Sequence, residues 1–476
     1  MRRHAYYVLL LVLLFTSIVV ASAYAKAKAE LIKVAPGGRY FQKGDEAFLI
    51  IGPNDALTWP GLSPLLGRTS PQAAKEYMEK LASHGVNTVR VMIEYAQYPH
   101  GLLENPLGEY RTEVVEFWDT FFTWLEDYDM YAIVTPWDPF WMERTWHQNP
   151  YNTRNGGMMD SMYGFLTHPE ALERQKERFA FMIERWGHSK HILAWELMNE
   201  IELWWGATTQ EIDDWISEMA DFVREQQLKT HGFTQLITAS SAANMPSGAL
   251  GKVIYDHPKL DFATTHLYTG PGMNAPRNTT DVVTEVALAV NYALWQIKDN
   301  RPYTDTESGP IDMWIGSSTF DAEFLHNVSW AHLASGGAGT GMRWPYRSPH
   351  VLTTGMLESL SRIAAFIKAF DFTGFVPESL GPDLILPAGH EVVGIGDANR
   401  KLIWLVREER LQGDPAACVL EMHYIDLGSY MLSFWDPWAA DWIERDLVIH
   451  FAESSGSITT PEFLKDVTIV MERISD

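Results

Sequence analysis

From about residue 40 two patterns alternate along the chain. Short runs of β-branched and aliphatic residues are each followed by a longer stretch with apolar positions at helical spacing. Phe41-Gln-Lys-Gly-Asp-Glu reads as a tight hairpin turning at Lys43-Gly-Asp, with the strand Phe48-Leu-Ile-Ile-Gly after it. Helical spacing over 71–84 leads to Asn87-Thr-Val-Arg-Val-Met-Ile, and over 112–127 to Tyr131-Ala-Ile-Val-Thr. A long loop at 137–168, rich in Trp, Pro, Asn and Gly, precedes a helix at 169–186 and the strand Ile192-Leu-Ala-Trp-Glu-Leu-Met. The alternation continues with a helix at 209–229, Gln235-Leu-Ile-Thr-Ala, Phe262-Ala-Thr-Thr-His, a helix at 281–298 and Pro302-Tyr-Thr-Asp-Thr. A helix at 321–335, Gly339-Thr-Gly-Met-Arg-Trp and a helix at 356–371 close the series. About eight strand–helix units in roughly 330 residues predict an α/β fold of the (β/α)8 TIM-barrel type. A doubly wound sheet is the other fold such alternation permits, but no Gly-rich phosphate turn follows the first strand.

Past residue 373 the rhythm changes. Strand-like runs at 382–387, 391–396, 401–407, 417–425, 430–435, 445–451 and 466–472 are separated by short turns, which predicts a small antiparallel β-sandwich. No low-complexity linker precedes it, so it is expected to pack on the barrel. At the other end, Arg2 and Arg3 precede an apolar run to about Val20 and the small residues Ala21-Ser-Ala-Tyr-Ala, the pattern of a secretory signal peptide. An uncleaved membrane anchor is the competing reading of that run. The division expected is 1–25 signal peptide, 26–373 catalytic barrel and 374–476 C-terminal β-sandwich, in a secreted, extracellular protein with no membrane contact once the signal is removed.

Charge narrows the partners. Among 476 residues, 37 Lys and Arg stand against 61 Asp and Glu, a net charge of −24. That balance argues against nucleic acid as a partner, because phosphate binding needs clustered cations. One cysteine, Cys418, excludes an intrachain disulfide and cysteine-based metal or redox chemistry, and its strand context predicts a buried thiol. The 19 Trp and 19 Tyr beside so many carboxylates fit a carbohydrate partner, since flat rings stack on pyranose faces.

Chemistry concentrates at two strand ends, where barrels carry their active sites. Ile192-Leu-Ala-Trp-Glu-Leu-Met-Asn199-Glu200 ends the fourth strand, and Pro302-Tyr-Thr-Asp-Thr-Glu307-Ser-Gly ends the seventh. Two carboxylates on opposing strands suit double displacement at an anomeric carbon, one attacking while the other protonates the leaving oxygen. Arg90 lies in an apolar strand, where a buried cation needs a partner, and Glu196 is the candidate. No His-Glu-x-x-His, EF-hand or Gly-x-Ser-x-Gly element is present, so neither a metal nor another cofactor is expected, nor a serine nucleophile.

Over roughly residues 40–372 the sequence resembles the clan A glycoside hydrolases, and family 5, the cellulases and mannanases, in particular. The resemblance implies that Glu200 is the acid/base and Glu307 the nucleophile. It implies that Arg90 orients the nucleophile, that Asn199 contacts substrate, that His266-Leu-Tyr268 flanks the catalytic centre and that Trp344 lies under the reacting sugar. Family 5 members often carry a His after the third strand, where this chain reads Thr135-Pro-Trp-Asp-Pro-Phe-Trp. Trp137 and Asp138 are therefore expected to take over substrate contacts, and Trp141, Trp146, His147 and Asn149 to shape one end of the cleft. The resemblance implies a retaining β-glycoside hydrolase, and the Trp-rich stretches together with the export signal point to endo-action on a β-1,4-linked polysaccharide, mannan first and glucan second. An exo-acting β-glycosidase is the alternative, and a non-catalytic carbohydrate-binding barrel a remote third.

Overall fold

The computed structural model describes residues 30–54, 72–94, 101–268, 270–274, 276–310, 318–345, 351–385 and 387–474. The expected signal peptide lies outside the described residues. The chain enters through a three-stranded antiparallel sheet, Ile32–Val34, Phe41–Lys43 and Glu46–Phe48, with the predicted hairpin turning at Gly44 and Asp45.

Parallel strands then form the barrel. Strands two to five are Thr88–Met92, Tyr131–Thr135, Ile192–Glu196 and Leu236–Thr238, hydrogen-bonded in that order. Ser240–Ser241 continues the fifth strand and pairs with the sixth, Ala263–Leu267, which pairs with the seventh, Tyr303–Ser308. The ring closes through single bridges: Ile50 to Gly339, Asn54 to Arg90 and Ser308 to Arg343. Segments 50–54 and 339–343 thus serve as strands one and eight without a continuous ladder. The predicted strand at 48–52 is split accordingly, with Phe48 ending the hairpin sheet and Ile50 starting the barrel.

The outer helices follow their capping chemistry. The helix Thr209–His231 starts at a reciprocal cap, in which the Thr208 hydroxyl accepts from the Glu211 N–H and the Glu211 carboxylate accepts from the Thr208 N–H. It stops at Gly232, which takes the left-handed conformation that a side chain resists. Pro169 opens the helix Pro169–Trp186, where its missing N–H costs nothing. The 137–168 stretch is less of a loop than the sequence predicts. It carries the helix Pro139–Thr145 and two 3-10 turns, Trp146–Gln148 and Thr153–Asn155.

After the helix Thr354–Ala369 come two antiparallel sheets, one of six strands and one of three. The strand Arg400–Arg407 is central in the larger sheet, and its side chains alternate between two cores. Leu402, Trp404 and Val406 face the barrel, while Ile403 and Leu405 face the smaller sheet. This double burial explains why the strand reads as an unbroken apolar run. Ser455–Thr459, which the sequence pattern misses, is a strand of the smaller sheet. Cys418 is buried as expected.

Between barrel and sandwich lies the helix Ser318–Ala334. Trp330 packs within 6.2 Å of Trp404 and 4.8 Å of Phe366. His326 Nε2 lies 2.8 Å from Asp466, whose same oxygen accepts the Trp404 indole N–H. Lys465 pairs with Glu323 at the rim of this seam.

Candidate active site

The site gathers at the C-terminal ends of the parallel strands. Glu307 lies just past a bulge in the seventh strand, which brings it opposite His266 of the sixth. Bulges re-aim side chains beside functional sites. The Glu307 carboxylate accepts three hydrogen bonds: Tyr268 Oη at 2.7 Å, Arg90 Nη1 at 2.9 Å and Asn54 Nδ2 at 2.8 Å. Arg90 is fully buried in the second strand and also grips Glu196, through Nε at 2.5 Å and Nη2 at 2.8 Å. The expected ion pair with Glu196 is therefore present, and the same guanidinium holds Glu307.

Glu200 follows the fourth strand with φ 42° and ψ 56°, a left-handed conformation uncommon for a side-chain-bearing residue. Such strain collects at sites where the surroundings over-determine it. Here the Glu200 N–H donates to Ser240 Oγ at 2.9 Å, and the preceding Asn199 N–H donates to the Trp137 carbonyl at 3.0 Å. His266 Nδ1 lies 2.7 Å from Glu200 Oε1 and 4.0 Å from Glu307 Oε2.

The electrostatics separate these groups. Burial, reinforced by the negative charge of Glu202, pushes Glu200 up to about 8. Burial pushes Glu307 above its ordinary value too, and Glu200 adds to this, but the Arg90 charge and the Tyr268 hydrogen bond pull it back. Burial also pulls His266 down to about 4, so its ring is neutral at pH 7. The neutral ring carries its proton on Nδ1 toward Glu200, which leaves the buried Nε2, without a partner, as a lone pair rather than as an orphaned donor.

Asp138 and Asn199 form the rear wall. Asn199 Oδ1 accepts from Arg90 Nη2 at 2.6 Å, and its Nδ2 donates to Asp138 Oδ1 at 3.0 Å. The same Asp138 oxygen accepts the Phe140 N–H and caps the helix Pro139–Thr145. Burial, with Glu200 nearby, raises Asp138 to about 8.

The expectation for Trp137 is corrected. Its ring is 1% exposed, edge-on to Phe179 and Phe165, with the Arg178 guanidinium 5.3 Å from the ring centre. A ring so enclosed has no face left for a sugar. In the same stretch Trp146 and Asn149 are buried in local packing, whereas Trp141 is half-buried and His147 exposed. Trp344 ends the eighth strand, largely buried, with its backbone N–H donating to the Ser308 carbonyl.

Asn54 escaped the sequence reading, although it is a polar residue at the end of a barrel strand, the position that flagged the others. Thr135, whose hydroxyl donates to Glu196 at 2.8 Å, and Ser240 likewise follow from place rather than motif. Ligand atoms of Glu200, His266 and Glu307 lie within 4.8 Å of one another, a set that could hold a metal ion. Arg90 already places a cation 2.9 Å from Glu307 Oε2, so a second positive charge would be repelled there.

Comparison with known proteins adds a family and similar folds. A family model described as cellulase, glycosyl hydrolase family 5, matches residues 51–313. A family 5 glycoside hydrolase structure from Bacteroides vulgatus superposes with a TM-score of 0.61 at 12% identity, covering 94% of this chain and 95% of that one. A family 5 mannosidase from Rhizomucor miehei gives 0.51 at 14% identity, covering 71% and 99%. An exo-β-1,4-mannosidase from an Opitutaceae bacterium gives 0.50 at 16% identity, covering 70% and 62%. A search of curated protein sequences finds no match.

Proposed function

The chain belongs to glycoside hydrolase family 5, and from that premise we propose that it is a retaining β-glycoside hydrolase with Glu307 as nucleophile and Glu200 as acid/base. One observation carries the reading: a Glu200 oxygen lies within 4.8 Å of a Glu307 oxygen. Retaining enzymes hold their carboxyls about 5–5.5 Å apart, whereas inverting ones need roughly 6.5–9.5 Å to admit a water.

The first step is attack by Glu307 on the anomeric carbon while Glu200 gives its proton to the departing oxygen. Three donors keep the Glu307 carboxylate oriented and favour its ionised form. Glu200 starts protonated because burial and Glu202 disfavour its charge. After departure the glycosyl group is bonded to Glu307 and Glu200 is ionised, now accepting from His266 Nδ1. Glu200 then takes a proton from water, which attacks the anomeric carbon and frees Glu307. Asn199, its amide fixed between Arg90 and Asp138, is the candidate contact to the reacting sugar, with Trp344 beneath it.

The substrate proposed is a β-1,4-linked polysaccharide, mannan before glucan, cut internally. The mannosidases among the similar folds support mannan. The folded wall at 137–168 favours a second reading, exo-action, because it would close one end of a cleft. Residues 1–25 support export, and we place the domain boundary at 373/374, between the helix Thr354–Ala369 and the strand Glu378–Ser379.

The test is hydrolysis of aryl β-glycosides, soluble β-mannan and β-glucan by wild type, Glu200→Gln and Glu307→Gln. Wild type is expected to cleave one sugar series, and each variant to lose roughly a thousandfold or more in kcat on polysaccharide. A ladder of oligomers indicates internal cutting, and monosaccharide alone indicates exo-action. Full activity in Glu307→Gln would remove it as nucleophile.

A further inference from the structure

We infer that Asp305 is a positioning residue for the nucleophile: its carboxylate supplies hydrogen bonds that the bulge before Glu307 interrupts, and so sets where the Glu307 carboxylate stands. This deepens the hydrolase reading above and rests on it. The bulge falls between Asp305, in register with Thr265, and Glu307, in register with His266. Thr306 is the residue left over, and its hydroxyl pairs with that of Thr264 at 2.6 Å. Asp305 is fully buried two residues before the nucleophile, and nothing in the proposed chemistry uses it.

A bulge leaves backbone groups out of step with the neighbouring strand. Here one side-chain oxygen takes up two of them. Asp305 Oδ1 accepts the Glu307 N–H at 3.0 Å and the Leu267 N–H of the sixth strand at 3.3 Å. The sixth strand is thus stitched to the nucleophile's own backbone through one carboxylate. The Asp305 N–H is held by a side chain in turn, donating to His332 Nε2 at 3.1 Å. Burial pulls His332 down to about 4, so its neutral ring accepts there while Nδ1–H donates to the Gly339 carbonyl at 2.8 Å. The Asp305 carbonyl accepts the Met342 N–H at 3.0 Å, from the segment that serves as strand eight. Gly341 in that segment leaves room for the carboxylate. It has φ +68°, and a Cβ there would lie 3.2 Å from Asp305 Oδ2. Strands six, seven and eight therefore meet at Asp305.

An apolar side chain is the ordinary filler of a fully buried strand position, and a buried carboxyl is costly. N–H groups that need a strong acceptor explain a carboxylate there. A scaffold role alone would hold the fold together and leave the rate of attack untouched. The bond, however, falls on the residue that attacks. Glu307 must present its carboxylate to Tyr268, Arg90 and Asn54 at once, from a backbone that the Asp305 bond fixes. Releasing that backbone shifts the carboxylate against the anomeric carbon, and a displacement near 1 Å costs about a hundredfold in rate.

Dinitrophenolate departs without a proton, so its glycosides report on attack by the nucleophile and leave the acid out. The probes are 2,4-dinitrophenyl 2-deoxy-2-fluoro-β-mannoside and the corresponding β-glucoside. The readout is the rate of glycosyl-enzyme formation per folded molecule and its half-saturation, with the labelled residue found by peptide mass mapping. Wild type is expected to be labelled at Glu307 by one of the two. Asp305→Ala is expected to take the label about a hundredfold more slowly, with half-saturation held within about twofold. Asp305→Asn, whose amide oxygen can still accept both N–H groups, is expected to restore most of the rate. Should Asp305→Ala not fold, Asp305→Ser, whose shorter hydroxyl cannot span both bonds, carries the same expectation. A wild-type rate in Asp305→Ala, or no recovery in Asp305→Asn, overturns the positioning role. No label in the wild type, or a label on another residue, would instead sink Glu307 as nucleophile, and this inference with it.

Discussion

Glu200 and Glu307 are two copies of one residue type, buried with carboxylate oxygens within 4.8 Å of each other, and the proposed mechanism needs them to start with opposite charges. Glu307 faces a guanidinium, an amide and a phenol, whereas Glu200 faces a neutral imidazole and the field of Glu202. Two like charges at this range would repel, so one proton stays, and it stays where the donors are fewer. Under the proposed mechanism the active form is the one with Glu200 protonated. kcat/KM is therefore expected to hold below its pKa of about 8 and to fall as pH rises through it. Removing the negative charge in Glu202→Gln withdraws one cause of the upward shift, so the alkaline limb should move to lower pH in a pH–rate profile. An alkaline limb that stays in place in that variant would show that Glu202 does not tune the acid.

At the scale of elements, helix ends join the scaffold to the site. Asp138 both caps the helix Pro139–Thr145 and holds the Asn199 amide. Asp138→Ala is expected to cost about 1 kcal/mol of stability from the lost cap and to lower kcat as Asn199 loses its orientation. Asp138→Asn should recover the thermal midpoint, since Asn also caps well, and melting curves run beside kinetics separate the two effects. By contrast, Thr208, which caps the helix Thr209–His231, exchanges its capping hydrogen bonds with Glu211. Thr208→Ala should lower stability by about 1 kcal/mol in denaturant titration with kcat unaltered.

The whole molecule is braced by the helix Ser318–Ala334, which is the next described element after the seventh strand and packs at the seam with the sandwich. Asp466 receives His326 and Trp404 there, both buried. Asp466→Ala leaves these groups without a partner and is expected to cost roughly 2–4 kcal/mol by thermal unfolding, with activity per folded molecule retained. A chain ending at residue 373 would bare Trp330 and its neighbours, so it is expected to be recovered mainly as aggregate. Soluble, active protein from that truncation would show that the barrel needs no brace.

The barrel was legible because its information is local. A strand that must face a core and a helix that must cover it each leave a period in the sequence, and a carboxylate at a strand's end follows from where barrels carry their sites. Glu200 and Glu307 stand out in the chain on that basis, and Arg90 as a cation in an apolar strand that must find a partner. Elements whose partners are remote were harder. Segments 50–54 and 339–343 pair through single bridges, and Ser455–Thr459 is polar and Gly-bearing, so neither leaves a strong strand pattern. Asn54 meets Glu307 across 253 residues, a contact that exists only once the barrel closes. Trp137 and Trp205 are the same residue in similar Trp-rich stretches, yet one is enclosed by Phe165, Phe179 and Arg178 and the other stands half in water. The sequence by itself determined which residue types stand at the strand ends. Only the tertiary structure decided which of them touch, because burial and charge at a site are set by side chains converging from strands far apart in the chain.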